Sequence, residues 1–366
     1  MKSKLLSIIF LLFLNFSFVS WTKPEIIKDS AVKSDCYVYV SINKGKKIAI
    51  FKLDPVKEIL IPGGEVNLNG EPGSLCIDPS HKKMYAGLRD TKSVASLNID
   101  QSSGRLVQIK DTPIADSPVY VSTDKKGKFL LFTSYGGSKS GVYPIDPDGV
   151  NKNVVQIVEA HLNPHMIKMD ASGKFVFVSN KEGDFIQEFI FQKDGSLKAN
   201  NPKEIAFKSK TGPRHFTFNP SGDIMYVVTE MACTVMAFHF DKKTGTLKGP
   251  FQEITTKPSD FTAKNTCADI HITPDGKFLY ASNRGHDSLA GFSVDAKTGK
   301  IIPIGWFGTE KEPREFDIDP SGRFIIAAGE SSGRIALYKI QSNGTLQPLK
   351  TYEVGKWPVW VTTVML

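Results

Sequence analysis

The 366-residue chain is 40% hydrophobic and 23% charged with a formal net charge of +8, so it can bury a sizeable core and is not a disordered polyelectrolyte. Its basic residues form no run interleaved with aromatics, which argues against a nucleic-acid partner. Its four cysteines show no CxxC spacing, which argues against zinc.

The first 20 residues, "MKSKLLSIIFLLFLNFSFVS", set Lys2 and Lys4 before an apolar run over 5–14. That is the charged start and short apolar centre of a secretory signal, too short for a lasting span. The expected organisation is a signal peptide over 1–20, an N-terminal extension over 21–35 and a folded domain over 36–366. No cysteine closely follows the apolar run, which argues against a lipoprotein. Such a chain is exported, periplasmic or secreted, and its compartment permits disulfides.

Beyond the leader one turn recurs: "DPSHKKMY" at 78, "DKKGKFLL" at 124, "DASGKFVF" at 170, "NPSGDIMY" at 219, "TPDGKFLY" at 273 and "DPSGRFII" at 319. Successive offsets of 46, 46, 49, 54 and 46 residues are those of a propeller blade. A second turn follows about 20 residues later in each unit, as in "KDGSL", "KTGTL" and "SNGTL". Each unit therefore predicts four short strands. The C-terminal "GKWPVWVTTVML" is a first strand without followers, and "CYVYVSINKGKKIAIFKLDP" has followers without a first strand. The expected fold is all-β, a seven-bladed β-propeller of four-stranded antiparallel blades. Its last blade is closed by joining N- and C-terminal strands, which removes the open sheet edge.

In such a blade the start of the first strand and the end of the second lie on one face of the disc. The starts read "NPH" (His165), "PRH" (Arg214, His215), "DIH" (Asp269, His271) and "PRE" (Arg314, Glu315). The ends read Tyr135, Asn180, Glu230, "NRGH" (Arg284, His286) and Glu330. Arginines, imidazoles and carboxylates are thus expected to meet at one channel mouth, while the DPSG turns on the opposite face are chemically plain. One outcome is a set of capping ion pairs, Arg214 with Glu230 and Arg314 with Glu330. The other is a pocket for an anionic ligand, because arginine grips a carboxylate with two parallel hydrogen bonds. Cys233 and Cys267 fall on this same face in neighbouring blades and form a candidate disulfide.

"PRHFTFNPSGDIMYVVTE", "DIHITPDGKFLYASNRGHDSLAGFSVD" and "EPREFDIDPSGRF" resemble the seven-bladed lactonase family, which includes cycloisomerase-type 6-phosphogluconolactonases and the fungal 3-carboxy-cis,cis-muconate cyclase. The similarity covers nearly all of the chain after the leader. It implies a metal-independent enzyme without cofactor, with His165, Arg214, Glu230 and Arg284 as the catalytic set. His215, His271, Arg314, Glu330, Tyr135 and Asn180 remain as substrate-binding candidates. Glu330 stands where the family's pattern has a neutral residue, which disfavours a phosphorylated ligand.

The expected activity is hydrolysis of a small sugar-acid lactone by a monomer, with His165 or Glu230 as base and Arg214 and Arg284 stabilising the oxyanion. No G-x-S-x-G elbow occurs, so no nucleophilic serine is expected. The alternatives are an exported propeller that binds an anionic ligand or protein partner without catalysis, and a muconate-type cycloisomerase.

Overall fold

A computed structural model describes residues 34–159 and 162–366; the signal peptide and most of the extension expected from the sequence lie outside them. Seven antiparallel sheets are arranged as blades, and the only helix among the described residues is a 3-10 turn, Asn43–Gly45. Blades 1 to 6 follow in chain order, with innermost strands Pro72–Ile77, Tyr120–Thr123, Pro164–Met169, Pro213–Phe218, Thr266–Ile272 and Pro313–Ile318. Blade 7 takes its innermost strand, Pro358–Met365, from the C-terminal end and pairs it with Cys36–Ile42, Tyr39 opposite Thr362. This is the closure expected from the two unmatched ends of the repeat.

The repeated turn is held by its first side chain. In blade 3 Asp170 accepts hydrogen bonds from the backbone N–H groups of Ser172 (2.9 Å), Lys174 (3.1 Å) and Phe175 (3.0 Å). Asp319 repeats the pattern in blade 6 with Ser321, Arg323 and Phe324. The fourth turn position is left-handed, Gly173 at φ 69, and His81 takes the same conformation at φ 58 where glycine is absent. Second-strand tyrosines lock neighbouring blades. Tyr226 Oη donates to Gly299 O (2.7 Å) and Tyr280 Oη to Gly344 O (2.8 Å), each reaching the outer turn of the next blade.

Blade 2 departs from the four-strand expectation. Its outer position is divided between Gly149–Val150 and Gln156–Glu159. Ser96 and Thr112 of blade 1 capture the backbone N–H and C=O of Val150 (3.1 and 2.8 Å), and Asn151 bonds back to Asp146 (2.7 Å). These contacts divert the chain before it can complete one continuous strand.

One irregularity positions the site. In six blades the register between the innermost strand and its neighbour shifts near its start, and five of those strands begin with proline. A bulge of this kind leaves a residue unpaired on the inner strand and re-aims its side chain. The residues passed over are His165 between Pro164 and Met166, Arg214 between Pro213 and His215, and Arg314 between Pro313 and Glu315. In blade 5 they are Ala268 and Asp269. Serines of the second strands satisfy the backbone groups this frees: Ser179 Oγ accepts from Met166 N–H (3.2 Å) and donates to Arg214 O of the next blade.

Candidate active site

The bulges put polar side chains on two levels of the channel. The upper level is a throat of about 20 Å³ walled by Arg89, His165, Arg214, Arg314, Glu315 and Trp360, room for about one water. It adjoins a mouth basin of about 370 Å³ lined by Lys264, Thr266, Arg284, Gly285, Glu312 and Glu330. Below the throat a chamber of about 140 Å³ holds His215, Asp269, His271, Asp317 and Lys168, with Glu315 shared between the two.

At the upper level Glu230 is the common anion of three cations. Arg214 Nε lies 3.0 Å from it, Lys181 Nζ 3.0 Å and Arg284 Nη2 3.2 Å. Burial alone would raise the carboxyl, but Arg214, Arg284 and Lys181 outweigh burial and hold it down at about 2. With three cations already on its two oxygens, Glu230 is an anchor that orders them. The arginines also donate to carbonyls that the blade 5 bulge sets free, Arg284 Nη2 to Cys267 O (3.0 Å) and Arg214 Nη1 to Ala268 O. Burial, assisted by Arg284 and only partly offset by Glu230, brings the Arg214 guanidinium down to about 10. The second expected pair is also present, Arg314 Nη1 with Glu330 Oε2 at 3.2 Å.

His165 stands in the throat wall with these cations. Burial first, then Arg214, His215 and the other arginines, hold its imidazole well below the usual histidine range, so it is neutral and able to accept a proton. Its Nδ1 is buried and makes no hydrogen bond to the described protein.

The chamber is organised around Asp269, whose Oδ1 meets His215 Nδ1 and whose Oδ2 meets His271 Nε2, each at 2.8 Å. The two imidazoles, led by His271, outweigh the effect of burial and keep Asp269 ionised, well below the ordinary carboxylate range. Burial and Arg214 lower His215 to about 4 despite that bond. Burial opposes protonation of His271, but Asp269 and Asp317 prevail and raise it. His215, Asp269 and Glu315 thus bring donor atoms within 4.8 Å of one another, a grouping of metal-ligand types that spacing along the chain gave no sign of. Both Asp269 oxygens already serve imidazoles at hydrogen-bonding distance, so the trio is read as a proton-sharing cluster.

Of the residues expected at the mouth, His165, Arg214, Glu230, Arg284, Arg314 and Glu330 gather there. Tyr135 joins the rim, where its hydroxyl donates to Glu182 (2.7 Å) and accepts from Lys181 Nζ (3.2 Å). His215 and His271 were expected beside them and instead occupy the chamber, because the added bulge residue moves them one level down. Asn180 spends its amide on Val178 O (3.0 Å) and Gln187 (3.3 Å) inside its own blade, and does not border the throat, basin or chamber. Sequence reasoning missed Lys181 and Arg89. Both sit where second strands end, and the rule that selected Glu230 finds Arg89 once it is applied to "GLRDT" of blade 1. Cys233 and Cys267 are free thiols of one hydrogen-bonded cluster, with Asn265 Nδ2 3.4 Å from Cys233 Sγ and Thr256 Oγ1 3.0 Å from Cys267 Sγ.

Comparison with known proteins agrees with this architecture. Residues 37–363 match the family described as "Lactonase, 7-bladed beta-propeller". A 6-phosphogluconolactonase of Serratia proteamaculans (strain 568) is 34% identical over 89% of this chain and 98% of its own length. A 6-phosphogluconolactonase of Yersinia pseudotuberculosis is 33% identical over 89% of this chain and 97% of its own length. Among solved structures, the periplasmic gluconolactonase of Pseudomonas aeruginosa superposes with a TM-score of 0.84 at 25% identity, over 90% of this chain and 99% of that one.

Proposed function

This chain belongs to the seven-bladed β-propeller lactonase family, and from that premise we propose that its channel mouth opens the ring of an unphosphorylated sugar-acid lactone by hydrolysis. The observation that carries this reading is a neutral imidazole, His165, set in a throat wall with the guanidinium groups of Arg214 and Arg314. Ester hydrolysis needs a base to activate water and fixed positive charge where the carbonyl oxygen becomes an oxyanion. His165 is the base. Arg214 and Arg314 meet the developing charge, and Glu230 with Lys181 holds Arg214 and Arg284 in place. Preorganised donors of this type stabilise the transition state without moving, which is where their rate effect comes from.

The substrate class follows from the basin. Lys264 and Arg284 face Glu312 and Glu330, a balance of charge that suits a neutral, hydroxylated ring better than a phosphate dianion. The similarity to a protein described as a periplasmic gluconolactonase points the same way, as does the N-terminal pattern of a secretory signal. In this reading the protein is exported and works as a monomer, since closing the ring satisfies the sheet edges without a partner.

The test is proton release from gluconolactone, its 6-phosphate and acyl and muconate-type lactones, with wild type beside His165→Ala. Turnover favouring the unphosphorylated sugar lactone, reduced about 10²–10⁴-fold in the variant, is the expected result. Turnover indifferent to His165 would defeat the assignment of the base. Silence across the panel would leave a binding platform as the better reading.

A further inference from the structure

Glu315 is the one carboxyl bordering both throat and chamber, and the reaction as drawn gives it no task. It follows the blade 6 bulge directly, its side chain is 4% exposed, and its Oε2 lies 3.9 Å from His215 Nδ1. Its neighbour Asp269 already holds His215 and His271 on its two oxygens and accepts the Phe316 N–H (3.3 Å), all of which fix it as the carboxylate. Two buried carboxyls this close cannot both ionise cheaply, so the second keeps its proton.

We infer that Glu315 is the general acid of the ring opening, its proton reaching the departing ring oxygen through the one water that the throat has room for. The inference rests on the hydrolase reading above. The groups around Glu315 leave no other donor of suitable strength in the throat. Arg214 of blade 4 is committed to Glu230 and the Ala268 carbonyl, and Arg314, next to Glu315, to Glu330. Tyr120 of blade 2 is pushed well above the ordinary phenol range by burial. His165 of blade 3 and His215 of blade 4 are neutral, and Trp360 of blade 7 does not titrate. Burial and then the charge on Asp269 push Glu315 well above the carboxylate range, against the pull of Arg214 and Arg314.

The step balances. The oxygen of the attacking water bonds to the lactone carbonyl carbon as its proton passes to His165. The bond from that carbon to the ring oxygen then breaks, its electron pair stays on the ring oxygen, and this oxygen takes the proton relayed from Glu315 to become a hydroxyl. The imidazolium returns its proton to the Glu315 carboxylate, and the product acid ionises into solvent. Enzymes separate acid from base in this way by giving two titratable groups opposite environments.

Leaving-group dependence tests this. A sugar lactone expels an alkoxide and needs the proton; dihydrocoumarin expels a phenoxide and needs it far less. In Glu315→Gln, kcat on gluconolactone falls about 10²–10³-fold and loses its basic limb, while kcat on dihydrocoumarin changes less than about threefold. Equal losses on both, or none on either, overturn the assignment although the hydrolase reading survives. If the variant does not fold, wild type decides across a lactone series: a shallow dependence of kcat on leaving-group basicity supports an acid, and a steep one overturns it. A wild type silent on every lactone defeats the hydrolase reading and this inference with it.

Discussion

The two ends of the channel are made by the same strands yet stabilised in opposite ways. At the far end each turn is self-contained: Asp170 and Asp319 bond only groups of their own turns, and the blades repeat one another. At the mouth almost nothing is local. Glu230 of blade 4 gathers Lys181 from blade 3 and Arg284 from blade 5, and Ser179 of blade 3 supports the Arg214 carbonyl. Repeated local bonds can specify a scaffold, whereas chemistry requires blades that differ and reach across their boundaries.

The largest effect separating the two ends is expected from Glu230→Gln. Three cations lose their shared anion, which is buried to 13% side-chain exposure. Breaking a buried ion pair by removing one partner costs about 3–5 kcal/mol, and lactone turnover should fall about 10³-fold as the oxyanion donors lose their positions. Urea unfolding beside a turnover assay measures both, and loss of only one of the two would break the comparison.

The next effect is on pH. His215 titrates at about 4 in the fold and near its ordinary 6.5 when unfolded, so between those values the unfolded chain binds more protons. Its contribution to stability is complete above pH 6.5 and is lost as pH falls through 4, approaching about 3 kcal/mol. The difference in urea midpoint between wild type and His215→Gln should therefore shift toward the variant on acidification; a difference independent of pH would refute the buried neutral imidazole.

Asp170→Ala should cost about 1–2 kcal/mol through three unmet N–H groups and leave kcat unchanged, because nothing at that end touches the throat. A fall in kcat would show that the two ends are coupled. The smallest effect concerns Cys233. Its thiol is brought down to about 6, first by a hydrogen bond from Cys267 and also by one from Asn265, against burial. Mild thiol–disulfide exchange should join Cys233 to Cys267, seen in peptide masses as the loss of two hydrogens, with little change in turnover. Persistence of both thiols under oxidant would remove the disulfide from consideration.

Blade count, strand order and ring closure were legible because a turn with glycine or its equivalent, set between alternating apolar runs, leaves a periodic trace. The site was legible in composition and blurred in depth. "PRH" placed Arg214 and His215 together, and no residue in it announces that a bulge will set one in the throat and the other in the chamber. Glu315 was visible in "PRE" beside its arginine, but its proton depends on Asp269 of the neighbouring blade, 46 positions earlier. Lys181 shows the same limit, since its partner Glu230 lies in the next blade.

The strand Pro358–Met365 closes the ring by pairing with Cys36–Ile42, and it also contributes Trp360 to the throat wall. Of the strands described it is the last that a ribosome makes. Until it docks, blade 7 has no innermost strand and the throat lacks one side. A nascent or clipped chain without this segment therefore lacks a finished reaction vessel as well as a closed scaffold, so the appearance of activity during synthesis would report topological completion.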